Sequence, residues 1–146
     1  MVLAHTLQTG EPFTYVMGEF PAPWGNELRF GILEPLLVLL FSLVMLLTLL
    51  GGKKQLMLDL EESKSNLYYM MSDLVLASLV ALSYTNDIFT GYVFLEICTI
   101  GACGLLMIRQ IGRTTLAATR YMIFSLIGSG LLLLGVIFLY GVTGQL

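Results

Sequence analysis

Four long apolar stretches alternate with short polar segments along the chain. A bilayer-spanning helix needs about 20 mostly apolar residues. The stretches therefore predict four transmembrane helices, at Phe30–Leu50, Leu67–Tyr84, Ile88–Ile108 and Tyr121–Tyr140. We predict an all-α integral membrane fold in which residues 30–146 form a four-helix membrane domain.

Residues 1–29 precede the first stretch and contain no long apolar run. Glycine, proline and aromatic residues are frequent among them, and glycine and proline mark turns. We expect this segment to form an extracytoplasmic tail or a hairpin outside the bilayer.

Composition supports a membrane protein and excludes several other classes. Of the 146 residues, 57% are apolar and 12% are charged, whereas soluble domains carry about 25% charged residues. The chain is too hydrophobic to be disordered, and a net charge of −3 without a basic run argues against nucleic-acid binding. The sequence holds no phosphate loop, metal-ligand cluster or nucleophile motif, so we expect no cofactor, no metal and no catalytic site in this chain.

The seven basic residues predict the orientation, because Lys and Arg concentrate in cytoplasmic loops. Six of them fall in the first and last connections between the apolar stretches, which four antiparallel helices place on one side. Only Arg29 falls on the other side. We therefore expect a multi-pass protein of the cell inner (plasma) membrane with both termini extracytoplasmic. The six are Lys53, Lys54, Lys64, Arg109, Arg113 and Arg120.

Two carboxylates, Glu96 and Asp73, interrupt the apolar stretches, where an unpaired charge costs several kcal/mol. At about 1.5 Å per residue the two lie roughly 10 Å apart along the membrane normal. Ionisable residues at such depth mark ion pathways, so both are candidate ion-translocation residues. Two alternatives stay open: Glu96 is a protonated packing residue, and Asp73 caps a helix or pairs with Arg113 or Arg120.

A line of polar side chains accompanies Glu96 along its helix. At about 100° per residue, spacings of 3, 4 and 7 keep these side chains within about 40° of one another. We expect this line to face protein or trapped water, while the rest of the helix meets lipid or apolar neighbours. Its members are Tyr92, Glu96, Thr99, Cys103 and Gln110.

Small residues recur in the fourth stretch. Ser125 and Ser129 form a small-xxx-small pair, which lets helices approach closely. We expect this pair and the neighbouring Gly128, Gly130 and Gly135 to serve helix packing.

The third and fourth stretches also contain recognisable motifs. Asn86–Ile97 reads NDIFTGYVFLEI, Ala117–Tyr121 reads AATRY, and Gly135–Gly144 reads GVIFLYGVTG. These segments resemble the glutamate-bearing helix and the following helix of the antiporter-like subunits. That family serves Mrp-type cation/proton antiporters, membrane-bound hydrogenases and respiratory complex I. Tyr15–Gly25 resembles the outer loop of the D-type member of the Mrp antiporters.

The resemblance covers the part of the family that runs from after its second helix to the end of its sixth. It implies that Glu96 is the acid that pairs with the family's central lysine, which lies on a helix outside this part. The lysine must then come from another polypeptide, as part of a split antiporter-like fold, or the chain is a piece of a longer subunit. Arg120 stands where several relatives have Lys.

From these features we expect a subunit of a multisubunit complex that translocates H⁺ or Na⁺ across the membrane. A nearby cation favours ionised Glu96 and its withdrawal favours proton uptake, while Tyr92, Thr99 and Cys103 orient water. The alternative is a non-conducting structural or assembly subunit of such a complex, in which Glu96 is inert. A third hypothesis is a small transporter that works as a homo-oligomer.

Overall fold

A computed structural model describes residues 12–20, 25–109 and 111–144. Within these ranges the chain forms four long helices, preceded by a two-stranded hairpin. The remainder of the expected N-terminal segment and Gln110 lie outside the described residues. The elements are β1 (Phe13–Val16), β2 (Glu27–Phe30), α1 (Leu33–Asp59), α2 (Glu62–Tyr84), α3 (Ile88–Met107) and α4 (Gly112–Thr143).

All four helices are long and apolar enough to cross a membrane, which confirms the predicted four-helix, all-α membrane fold. Each helix packs mainly against the next one along the chain, and the α2–α3 contact is the most extensive. Large apolar side chains cover the outer surface, among them Leu47, Phe124 and Phe138. A helix that is apolar all round requires lipid or further protein about it, so this surface suits both.

Helices α2 and α3 approach closely at two glycines. A Cβ atom on Gly101 would lie 2.8 Å from Cγ2 of Val75, and one on Gly104 would lie 2.9 Å from Sδ of Met71. Small residues permit this distance between helices where lipid supplies no hydrophobic driving force.

Helices α3 and α4 meet at Cys103 and Ala118. The Cys103 thiol donates to the Ala118 carbonyl oxygen at 3.6 Å, and Ala118 is fully buried. Ser129 is also buried, whereas Gly128 and Gly135 face open space. The small residues of α4 therefore pack within the described chain only in part.

Helix α4 is longer than the apolar stretch that predicts it. Its 32 residues extend about 48 Å, against a hydrocarbon core of about 30 Å. The extra turns lie at its N-terminal end, so Arg113 and Arg120 are helical and exposed rather than part of a loop. Hydropathy marks the apolar part of a helix and not where the hydrogen-bonded helix begins.

The hairpin packs at one end of the bundle, against the α2–α3 turn. Its strands pair antiparallel, with Val16 opposite Glu27. The Asn86 amide donates to the Glu27 carbonyl oxygen at 3.0 Å. At the opposite end, Arg109 pairs with Asp59 at 3.5 Å and joins the α3–α4 connection to the α1–α2 connection. The two basic connections therefore share one end of the bundle, which we call the basic end.

Candidate functional site

Helix α3 carries Glu96 into the middle of the bundle. The helix begins after Asp87, whose carboxylate accepts the backbone amides of Phe89 and Thr90 at 3.0 and 3.1 Å. An aspartate in this position satisfies amides that have no partner inside the helix. Glu96 follows Ile88 by eight residues, or about 12 Å. The cap at Asp87 thereby sets the depth and direction of the Glu96 side chain.

The Glu96 carboxyl group has a buried oxygen without a partner. Its Oε2 atom is inaccessible to solvent and forms no hydrogen bond within the described residues. A buried polar atom left unpaired costs about 1–3 kcal/mol, and an unpaired buried charge costs more. This carboxyl therefore requires a proton, a water molecule or a cation that the described residues do not provide.

Glu96 lines a groove of about 280 Å³ between α2, α3 and α4. Every other α3 residue in its wall lies between Glu96 and the C-terminal end of α3, and so does the groove. The groove therefore leads from the buried carboxyl towards the basic end. Its walls consist of Met71 on α2; Glu96, Thr99, Ile100, Cys103, Gly104 and Met107 on α3; and Tyr121, Met122, Ser125 and Leu126 on α4.

The hydrogen-bonding groups that α3 contributes to this groove are already used. Thr99 donates its hydroxyl to the Glu96 carbonyl oxygen at 2.8 Å, on its own helix. The Cys103 thiol donates to Ala118 across the helix contact. Thr99 and Cys103 thus lie beside Glu96, as the spacing predicts, but their hydrogens are directed at backbone carbonyl oxygens.

Helix α4 supplies two hydroxyl groups that sequence reasoning did not assign to the site. Tyr121 and Ser125 both line the groove, and neither hydroxyl has a hydrogen-bond partner in the part of the chain that the structure describes. Their spacing of four residues puts them on one helix face. That spacing was readable in the sequence, but the helix they face was not.

Tyr92 lies apart from this groove. It lines a second groove of about 480 Å³, together with Leu132, Gly135 and Leu139 of α4, and its ring lies 6.4 Å from that of Phe89. The predicted polar line is thus divided. Glu96, Thr99 and Cys103 share one groove and Tyr92 lines the other.

Asp73 and Arg120 also lie outside the Glu96 groove, and both are exposed. Asp73 is eleven residues from either end of α2, at mid-helix. Across the described ranges its carboxylate forms no ion pair, with Arg113, Arg120 or any other base. An intramembrane carboxylate on an outer face requires a partner from outside this segment. Among the described residues there is likewise no group of three or more metal-ligating side chains.

Residues 85–146, which hold α3 and α4, match the family model described as NADH:quinone oxidoreductase/Mrp antiporter, TM. The chain is 34% identical over 146 residues to NADH-quinone oxidoreductase subunit N of Desulforudis audaxviator. It is 30% identical over 145 residues to an Na(+)/H(+) antiporter subunit, the D-type one, of Bacillus subtilis. The chain belongs to the antiporter-like subunit family. This confirms the family that the motifs around Glu96 suggest.

The likeness to antiporter-like subunits extends to three dimensions. A chain of the membrane-bound sulfane sulfur reductase, an archaeal respiratory membrane complex, superposes with a TM-score of 0.75 at 27% identity. The alignment covers 99% of this chain and 29% of that one. The two curated relatives are also covered over 29% of their length. The chain thus spans under a third of the antiporter-like subunits that it matches.

Proposed function

We propose that this chain forms the Glu96-bearing part of an antiporter-like subunit in a multisubunit membrane complex that translocates protons or sodium ions. The observation that carries the proposal is the buried, unpartnered Oε2 of Glu96 at the inner end of a groove. The family assignment adds support, because the relatives include an Na(+)/H(+) antiporter subunit and a subunit of a quinone oxidoreductase.

The mechanism rests on the charge state of Glu96. A basic side chain from a segment outside the described residues approaches the carboxyl and stabilises the ionised form. When that cation moves away, the carboxylate in its apolar surroundings takes up a proton instead. The family resemblance implies a lysine in this role, supplied by another membrane subunit or another part of a longer chain. Alternation between the two states moves one proton per cycle through the site.

The other candidate residues take supporting roles in this proposal. Thr99 and Cys103 shape the wall of the groove beside Glu96. Tyr92 lies on the second groove, about one turn of α3 further from the basic end. Asp73 and Arg120 are exposed, so they act through segments or subunits that cover the outer faces of α2 and α4.

The orientation follows from the charge distribution. The basic end carries six of the seven Lys and Arg residues, which places it in the cytoplasm by the positive-inside rule. The hairpin and the α2–α3 turn then lie outside the cell. The groove leads from Glu96 towards the cytoplasmic side of an inner (plasma) membrane.

Substitution of Glu96 by Gln tests this proposal. Glu96→Gln keeps the shape of the side chain and removes its proton exchange, so we expect coupled ion transport in native membrane vesicles to fall to background. Proton movement is followed with a pH-sensitive dye while the complex runs on its own electron donor or sodium gradient. The amount of assembled complex should stay within about twofold of wild type, since a neutral amide is less costly to bury than a charge.

Glu61→Gln is the matched control, because Glu61 is exposed at the basic end and pairs only with Lys64 at 3.2 Å. We expect this control to transport at the wild-type rate. Normal transport by Glu96→Gln would refute the proposal and favour a structural or assembly subunit. That alternative predicts that Glu96→Ala changes the yield of complex and leaves the transport rate per complex unchanged.

A further inference from the structure

The contact between Cys103 and Ala118 aligns α3 with α4. These helices run antiparallel, and the Cys103 thiol reaches the Ala118 carbonyl oxygen at 3.6 Å. Glu96 precedes Cys103 by seven residues and Ser125 follows Ala118 by seven residues. Both steps rise about 10 Å in the same direction and turn the side chain by nearly two full turns. Glu96 and Ser125 therefore lie at the same level and on the facing sides of the two helices.

The groove confirms that the two side chains share one space, since both line it. The Glu96 carboxyl lacks a partner for its buried oxygen, and the Ser125 hydroxyl is without one among the described residues. The behaviour of Ser129, one turn further along α4, is different. Its hydroxyl donates to the Leu126 carbonyl oxygen at 3.2 Å on its own helix, as intramembrane serines commonly do.

A serine hydroxyl suits both protonation states of a carboxyl. It donates to the ionised carboxylate, and it accepts from the protonated acid. A groove of about 280 Å³ has room for several waters, since a water molecule takes about 30 Å³ of liquid volume. Tyr121 lies one turn nearer the basic end on the same face of α4 and adds a second free hydroxyl.

We propose that Ser125 is a positioning residue for Glu96: its hydroxyl holds the carboxyl, directly or through one water, and with Tyr121 lines the hydrated route between Glu96 and the basic end. The inference deepens the proposed function and rests on it. It assigns the polar wall of the route to α4, and leaves to Thr99 and Cys103 the shape of the opposite wall.

The test compares Ser125→Ala with Ser129→Ala in the assembled complex in native membrane vesicles. Ser125→Ala removes the hydroxyl, and we expect proton transfer to slow by roughly five- to tenfold, the effect of one lost hydrogen bond at a buried carboxyl. Ser125→Thr keeps a hydroxyl at the same atom and should restore most of the rate. Tyr121→Phe should slow transport less, because Tyr121 lies further from Glu96. Ser129→Ala should match wild type.

Infrared difference spectroscopy supplies a readout that a packing effect does not move. The C=O band of protonated Glu96, identified as the band that Glu96→Gln lacks, should shift to higher wavenumber in Ser125→Ala, because a hydrogen bond to the carboxyl is lost. Ser125→Thr and Ser129→Ala should leave the band in place.

Three results would overturn the inference. They are a Ser125→Ala rate and band equal to wild type, a slow Ser125→Ala with an unmoved band, or an equal loss in Ser129→Ala. If Glu96→Gln is inactive while any of these holds, the inference fails and the proposed function stands. If Glu96→Gln transports normally, the proposed function fails and the inference falls with it.

Discussion

At the scale of single residues, the Glu96 carboxyl is the unusual feature of this molecule. Most buried polar atoms in proteins have hydrogen-bond partners, and membrane interiors raise the cost of one that does not. Oε2 of Glu96 lacks such a partner in the described part of the chain, although Thr99 bonds to the backbone of the same residue. A carboxyl in this setting is suited to exchange a proton rather than to fasten two helices together.

At the scale of elements, the close contact of α2 and α3 keeps the Glu96 groove in shape. Gly101 lies against Val75 and the Met71 carbonyl oxygen, and Met71 also forms part of the groove wall. Because both sides of this contact include β-branched side chain or backbone, there is little room for adjustment. The packing of α2 on α3 and the geometry around Glu96 are therefore linked.

Substitution of Gly101 by Val should disturb this contact. A Cβ atom alone would lie 2.8 Å from Val75 Cγ2, so the helices must separate, and overpacking of this kind costs about 1–3 kcal/mol. We expect a lower thermal unfolding midpoint of the detergent-solubilised complex. Gly128→Val is the matched control, since a Cβ at Gly128 meets nothing within 4 Å. Equal midpoints for the two variants would contradict the close contact.

Much of this element-scale picture follows from the sequence, for identifiable reasons. The apolar stretches predict the four helices, and the start of α3 at Ile88 is as predicted because Asp87 caps it. The periodicity of α3 also brings Glu96, Thr99 and Cys103 together. Periodicity within one helix carries no information about its register with the next. The position of Ser125 opposite Glu96 therefore required the structure.

At the scale of the whole molecule, the two ends of the bundle differ. The basic end joins its two connections through Arg109 and Asp59. The other end carries the hairpin, which is held to the α2–α3 turn by Asn86 and Glu27. Between the ends, the exposed apolar surface and the exposed Asp73 agree with a segment that is covered by further helices in the antiporter-like subunits.

Cysteine labelling in intact cells tests the orientation. A membrane-impermeant maleimide should label Thr14→Cys in the hairpin without permeabilisation. It should label Lys54→Cys near the basic end only after the membrane is opened, because basic residues stay in the cytoplasm. The wild-type chain, with Cys98 and Cys103 inside α3, measures the background. The reverse labelling pattern would show that the groove leads outwards instead.

The central claim is that the Glu96 carboxyl gains and loses a proton while the complex works. Time-resolved infrared difference spectroscopy on the turning-over complex observes this directly. We predict a carboxylic C=O band that rises and falls with turnover in wild type, and that is missing in Glu96→Gln. Ion transport by the wild-type complex with no Glu96-dependent carboxyl band at any stage of the cycle would contradict the account.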